Sequence, residues 1–355
     1  MKIGVVAKYD VSTDLQDVNH VLKTLNEYNV NVTLEAELAK IMNMAGSEIR
    51  EMEVDLILCI GGDSTILKTI QELGEKQVPV LGVRSHGNLG FITEMDIDDF
   101  KAGLKRVLQR KYEVERRSRL ECWINGNRTL PLALNEVAIF ARTSATLIRY
   151  SLAINNKSMW RDEGDGVIVA TPTGSTAYAM SAGGPVVLHN APVFIIAPVN
   201  SVNPLRRPLI VPDKSEILVD NISSPTTCEV IVDGRFRKAI NGNKVLIKRA
   251  ASEALFVKLA KEKFFSLSRK LSQKTGVYED LLDGVPPSAK LILKILQYEG
   301  SLTQKEIIEK TDLPPRTVRF ALNLLMEKDI ILKKVLLRDA RQSTYVLNEK
   351  LTLLS

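Results

Sequence analysis

The sequence predicts an α/β N-terminal domain, a β-rich second domain and a small α+β C-terminal domain. Three observations carry this prediction. Strands alternate with helices over the first hundred residues, short β-type runs crowd together from residue 112, and helical periodicity returns after residue 287. At 355 residues, 45% hydrophobic and 25% charged, the chain has the composition of a globular protein long enough for more than one domain.

The first strand is the apolar run at 3–7, which follows Met1 almost directly. Leu15, Val18, Val21, Leu22 and Leu25 then mark one face of a helix. Residues 30–34 read as a strand, 35–44 as a helix and 54–60 as a buried strand ending at Gly61. A helix over 66–73 and a strand over 78–83 follow. Strands separated by helices imply a parallel sheet with crossovers, whose ligands sit at the carboxyl ends of strands. Gly61-Gly62-Asp63 lies at such an end.

In the second domain the expected strands are 120–124, 132–141, 150–154, 167–170, 193–197, 216–219, 228–232 and 244–248, with a turn at Asn125-Gly126-Asn127. Residues 255–270 mix apolar and basic side chains and are expected to close as a strand and a short helix. Residues 276–287 read as a linker.

Beyond it, Leu291, Ile292, Ile295 and Leu296 are spaced as one helical face over 288–298. Thr303 with Glu306 fits a capping box opening a second helix, which stops near Thr311-Asp312. Pro314-Pro315 opens a third through Met326. Strands at 330–334 and 343–347 are expected around a turn at 337–341. Three helices and a hairpin resemble a winged helix-turn-helix. Residues 276–355 carry 12 basic and 11 acidic side chains, a net of +1, so this tail is not strongly cationic.

Charge and cysteines exclude several classes. An excess of +6 over 48 basic and 42 acidic side chains favours anionic ligands only weakly and is no nucleic-acid signature. Cys59, Cys122 and Cys228 are scattered without a CxxC pair, which argues for reduced thiols and against a zinc site or a disulfide framework. No signal peptide precedes the first strand, and no run reaches the roughly 18 apolar residues of a membrane span. A cytoplasmic protein without a membrane partner is expected.

The chemistry concentrates in two segments. In 164–185, Gly164-Asp165-Gly166 and an apolar strand feed the turn Thr171-Pro172-Thr173-Gly174-Ser175-Thr176. Ser175 or Thr176 is expected to cap a short helix of small residues, which Gly183-Gly184-Pro185 stops. Free backbone N–H groups at such a start suit a nucleotide's polar atoms and phosphates. The upstream segment is Gly61-Gly62-Asp63-Ser64-Thr65, whose glycines let backbone approach phosphate unobstructed. Asp63 fits two roles there, a general base or a helix N-cap.

These segments, with Asn135-Glu136, Leu89-Gly90-Phe91, Arg207-Pro208 and Asp233-Gly234, resemble the NAD kinase family over about residues 1–272. The resemblance implies an NAD kinase-like fold: an α/β domain with the GGD motif at 1–105, a β-rich NAD-binding domain at 106–262, and a return segment at 263–275 packing on the α/β domain. The winged-helix-like domain at 276–355 is foreign to the usual family. The implied reaction moves a phosphoryl group from ATP or polyphosphate, with Mg²⁺, onto the adenosine ribose 2′-hydroxyl of NAD to give NADP.

By the same resemblance Asp63 is the base, and Gly61, Gly62 and Ser64 face the donor phosphates. Asn135 holds the adenine edge and Glu136 the ribose hydroxyls. Asp165 faces the nicotinamide side, while Thr176, Ala177, Tyr178 and Ser181 line the adenosine and diphosphate pocket, with Phe91 closing it. Tyr178 and Phe91 also fit plain core roles; Lys157 and Arg161 read as surface charge. No His/Cys/carboxylate cluster suggests a resident metal, so Mg²⁺ would arrive with the nucleotide. A homodimer or homotetramer is expected.

Three departures from the family pattern stand out. Ser64 replaces a motif glycine, where a Cβ would crowd the phosphates if the backbone needs φ > 0. The loop 82–90 is one residue longer than usual, and a Pro-His pair is absent near 197–201. The tail points to a DNA partner through Arg316, Thr317 and Arg319, or to a protein partner or itself. A rival to the enzyme is therefore an NAD(P)-sensing DNA-binding regulator with a kinase-like body.

Overall fold

The computed structural model describes residues 1–7, 15–85, 90–128, 130–240, 242, 244–259, 286–299, 302–311, 313–328, 330–336 and 339–347. The chain divides into two compact units, Met1–His86 with Ile92–Ala260, and Gly87–Phe91 with Lys261–Ser355.

The first unit opens with an eight-stranded sheet in the order Gly46–Ser47, Asn31–Glu35, Lys2–Ala7, Leu56–Ile60, Val80–Arg84, Ala254–Lys258, Glu113–Arg117, with Met95–Asp96 beside Val80–Arg84. Pairing is parallel throughout except between Ala254–Lys258 and Glu113–Arg117. The helix Gln16–Glu27 buries Val18, Val21 and Leu25, as the spacing predicts. The helix expected over 35–44 is Ala36–Ile41; Glu35 caps it by accepting the Leu38 N–H at 3.0 Å. Two strands of this sheet, Glu113–Arg117 and Ala254–Lys258, come from the stretch expected to be wholly in the β-rich domain.

Two antiparallel sheets form the rest of the unit. One runs Lys157–Gly164, Ile148–Ile154, Ile217–Ser223, Val245–Arg249, Leu120–Ile124; the other Leu209–Pro212, Val193–Val199, Gly166–Ala170, Glu136–Ala141, Cys228–Val232, Phe236–Ile240. Leu120, Ile148, Leu152, Val167, Val169, Phe194, Val230 and Ile247 belong to one core between them. A second apolar layer of Ala138, Ile168, Ala170, Ala179 and Ile195 covers the other face of the six-stranded sheet. Gly166–Ala170 is thus buried on both faces, which is why its sequence runs apolar without alternation.

Of the strands longer than two residues, four carried no sequence signal: Glu113–Arg117, Lys157–Gly164, Leu209–Pro212 and Phe236–Ile240. All four lie at sheet edges. An edge strand has one neighbour and tolerates charge, so the period-two apolar pattern is weak or absent there. The strand expected over 132–141 begins only at Glu136. Residues 263–275, expected to return to the α/β domain, lie outside the described residues, as does most of the expected linker.

The second unit contains the helices Pro287–Glu299, Gln304–Thr311 and Pro315–Glu327 and a sheet of Leu302–Thr303, Asp339–Leu347 and Ile331–Leu336. Ala289, Ile292, Leu296, Ile307, Val318, Leu322, Leu325 and Ile331 form its core. The capping box is present. Glu306 accepts the Thr303 N–H at 2.7 Å, and Thr303 Oγ1 accepts the Glu306 N–H at 3.3 Å. Within the expected turn at 337–341, residues 337 and 338 lie outside the described residues.

Candidate functional site

The strand Leu56–Ile60 ends beside Val83, whose carbonyl accepts the Gly61 N–H at 2.9 Å. Gly61 has φ of 144°, a conformation that favours glycine, and Gly62 is the N-cap of the helix Asp63–Leu73. Asp63 does not cap that helix, so the N-cap role falls away. Its Oδ1 instead accepts the Ile92 N–H at 3.0 Å. A half-buried carboxylate is thereby held at the helix start, on the carboxyl edge of the parallel sheet. Arg84, paired with Asp96 through Nε and Nη2, is close enough for its charge to interact with Asp63.

Ser64 is the second helical residue, exposed, and absent from the residues with positive φ. The backbone at this position is one that any residue adopts, so the glycine of the motif is not needed for conformation.

The second half of the site is built by a turn. Val232 and Phe236 pair across the hairpin Cys228–Val232/Phe236–Ile240, and Asp233 and Gly234 between them take φ of 48° and 68°. Asp and Gly tolerate this left-handed region. The turn aims the Asp233 carboxylate at the segment before Glu136. Oδ1 accepts the N–H of Asn135 at 2.8 Å and of Glu136 at 3.0 Å; Oδ2 accepts that of Leu134 at 2.9 Å and the Gln71 amide at 3.0 Å. Burial outweighs these four donors and leaves the Asp233 carboxyl raised above the usual carboxylate range. With residues 134–136 donating to a carboxylate, the sheet ladder starts at Glu136. This is the physical reason the expected strand is short.

Asn135 and Glu136 also meet the Thr171–Thr176 turn. Thr171 N–H donates to the Asn135 carbonyl at 2.9 Å and its hydroxyl to the Leu134 carbonyl at 2.6 Å. Gly174 packs so closely that a Cβ there would lie 2.1 Å from the Asn135 oxygen. The capping expectation for Ser175 or Thr176 is corrected here. The single-turn helix Tyr178–Ser181 has Ala177 before it and no side-chain cap. Ser175 Oγ donates to the Pro172 carbonyl at 2.7 Å and accepts the Val187 N–H at 3.0 Å, tying the turn to the segment behind it. Gly183, at φ of 77°, stops the helix as expected.

Thr176 and Ala177 are half-buried beside this turn, and Ser181 is exposed. Tyr178 is 45% exposed, with its ring stacked on Phe140. Asp165 Oδ2 accepts the Asn200 amide at 2.7 Å; this partner stands in the stretch where the family's Pro-His pair is absent. Phe91 is half-buried and directly precedes Ile92, whose N–H binds Asp63. Sequence reasoning missed Gln71, Phe140 and Asn200, and gave Asp233 no role although its motif was noticed. For Asp233 the signal was present in Asp-Gly, a turn pair; for the others the sequence held none. Among the described residues no group of three His, Cys, Asp or Glu side chains is arranged to hold a metal ion, and no helix is long and apolar enough to cross a membrane.

A GGD turn on the carboxyl edge of a parallel sheet, joined to a β-sandwich that presents an Asn-Glu pair, defines a nucleotide kinase of α/β-plus-sandwich build. Residues 3–112 match the family model of the ATP-NAD kinase N-terminal domain and 134–259 that of the ATP-NAD kinase C-terminal domain, while 287–331 match a winged helix-turn-helix DNA-binding domain. The NAD kinase of Methanothermobacter thermautotrophicus is 34% identical over 275 residues, 76% of this chain and 96% of that one. That of Thermococcus kodakarensis is 32% identical, covering 77% and 100%. An NAD kinase from Archaeoglobus fulgidus in complex with ATP superimposes with a TM-score of 0.63 at 29% identity, over 76% of this chain and 99% of that one. Yeast NADH kinase complexed with NADH shares the fold, with a TM-score of 0.70 at 23% identity, over 78% and 88%. The chain belongs to the NAD kinase family.

Proposed function

We propose that this kinase phosphorylates the adenosine ribose 2′-hydroxyl of NAD, using ATP or polyphosphate with Mg²⁺, and that Asp63 accepts the hydroxyl proton. One observation carries this proposal: the helix that begins with Asp63 and the loop that presents Asn135 and Glu136 are bound to the same carboxylate, Asp233. In this assignment Asn135 takes the adenine edge, Glu136 the ribose hydroxyls, and Asp165, Thr176, Ala177, Tyr178 and Ser181 the rest of the dinucleotide. Gly61, Gly62 and Ser64 face the donor phosphates, with Arg84 adding positive charge near the reacting group. Mg²⁺ brought in with the donor would neutralise phosphate charge, and Asp63, the one carboxylate of the GGD turn, is the residue there that would help hold it. The enzyme is expected to be a homo-oligomer and, with three buried free cysteines, to work in the reducing cytoplasm.

The purified chain with NAD, ATP and Mg²⁺ tests this. NADP should form, and Asp63→Asn should lower kcat by about 10²–10⁴-fold. Bound NAD without NADP from either donor would sink the enzyme and favour the dinucleotide-sensing regulator.

A second activity is favoured by the tail. The helix Pro315–Glu327 leaves Arg316, Arg319, Phe320 and Asn323 exposed, with Phe320 62% accessible, while Thr317 is half-buried. This is the surface a DNA-reading helix presents, with cations for phosphate and an amide for a base edge. Retention on duplex DNA that falls with salt, and falls again in Arg316→Ala/Arg319→Ala, is the expected result. Salt-independent retention of a protein partner would assign the helix to protein contact instead.

A further inference from the structure

We infer that Gln71 is a positioning residue for phosphoryl transfer, fixing the helix that carries Asp63 against the loop that carries Asn135 and Glu136 through the carboxylate of Asp233. The inference rests on Asp63 acting as base and on Asn135 and Glu136 holding the adenosine.

Gln71 is 5% exposed, and its amide donates to Asp233 Oδ2 at 3.0 Å across 162 residues of sequence. The amide orientation follows from chemistry, because a carboxylate accepts and cannot donate when ionised. The other end of the side chain, Oε1, is buried and has no hydrogen-bond partner among the described residues. An orphaned buried acceptor costs about 1–3 kcal/mol. A leucine of similar size would pack there without that cost, so what the amide adds is the bond from Nε2.

That bond has leverage. Asp63 and Gln71 are eight residues apart on one continuous helix, about 12 Å along its axis, so fixing the far turn orients the near one. Arg119 makes a second tie one residue earlier. It is 1% exposed, and Nη1 reaches the Ile70 carbonyl at 3.5 Å while Nη2 donates to Ser252 Oγ at 2.7 Å. Its charge also acts on Asp233. Asp233 holds three successive amides of the Asn135 loop with its remaining capacity, so a shift of the helix against that loop must break or stretch the Gln71 bond. An in-line transfer is sensitive to such shifts; a displacement of about 1 Å costs up to roughly 10²-fold in rate.

The test uses the full chain carrying Gln71→Leu, and Gln71→Asn as the milder variant that decides if Gln71→Leu does not fold. Steady-state kinetics and the Kd of NAD are measured for each, alone and combined with Asp63→Asn. The expected result is a fall in kcat of roughly 10–100-fold for Gln71→Leu with Kd for NAD changed less than about threefold. In the Asp63→Asn background the same change should lower kcat little further, because a group that acts by aligning Asp63 has nothing left to align. An unchanged kcat, a loss confined to NAD affinity, or an undiminished loss beside Asp63→Asn overturns the inference alone. Parental activity in Asp63→Asn overturns the base assignment and this inference with it.

Discussion

The ring of Tyr178 lies on the ring of Phe140, with centroids 5.5 Å apart and planes 13° from parallel. One face of the tyrosine is thus fixed by the six-stranded sheet while the residue stays 45% exposed, which leaves a flat aromatic surface beside the Thr171–Thr176 turn. Such a surface suits stacking by a planar ring, a contact of about 0.5–1.5 kcal/mol. Tyr178→Ala should raise the KM for NAD up to about tenfold, and Tyr178→Phe should leave it near the parental value. Equal effects in the two variants would assign the hydroxyl, not the ring.

Gly174→Ala introduces a methyl group 2.1 Å from the Asn135 carbonyl oxygen and 2.7 Å from its Cα. Backbone on both sides must move, at a cost of about 1–3 kcal/mol or more. The thermal midpoint should fall by several degrees, and NAD affinity should fall with it because the displaced residue is Asn135. Thermal melts with and without NAD measure both. A parental melt that NAD raises as usual would mean the turn relaxes without moving Asn135.

Ser64→Gly restores the family's usual residue. The position is helical and exposed, so the change should alter kcat by less than about threefold. It should also weaken the first turn of the helix by about half a kcal/mol, since glycine is the poorer helix former. A large gain in kcat would show instead that the serine side chain obstructs the donor phosphates.

Glu115 gives the fold a dependence on acid. Burial pushes its carboxyl up, but the His189 hydrogen bond at 2.7 Å and the charges of Arg117 and Lys258 outweigh it and hold the group down to about 2. A carboxyl whose folded value lies below its unfolded value contributes stability above the unfolded value and loses it as pH falls toward the folded one. The contribution is complete above about pH 4.5 and disappears between there and about pH 2. Glu115→Gln should therefore melt below the parent at pH 7, and the gap should narrow as pH drops through 4. A gap that is constant with pH would assign the loss to packing.

Much of the site is legible in the amino-acid sequence. Asp63, Asn135, Glu136 and the 171–178 turn stand out as a set, because small and polar residues at the ends of apolar runs have few structural reasons to recur. What joins them is not legible there. Gln71 sits inside an amphipathic helix, where a glutamine is an ordinary choice, and only the approach of Asp233 from 162 residues away gives its amide a purpose. Phe140 and Asn200 read as members of a strand and a turn until Tyr178 and Asp165 are brought against them.

The sequence by itself determined the alternation of strand and helix, the buried strands of both layers, the capping box at Thr303–Glu306 and the family resemblance. These depend on local periodicity and on contacts within a few residues. The tertiary structure decided where four edge strands without an apolar pattern run, that Asp63 is held by Ile92 rather than capping its helix, and that a single buried carboxylate ties the GGD helix to the Asn-Glu loop. Edge strands lack the two-sided burial that writes an apolar pattern. A hydrogen bond between residues far apart in sequence leaves no periodic trace in either segment; it exists only once the chain has folded and water has been excluded from both partners.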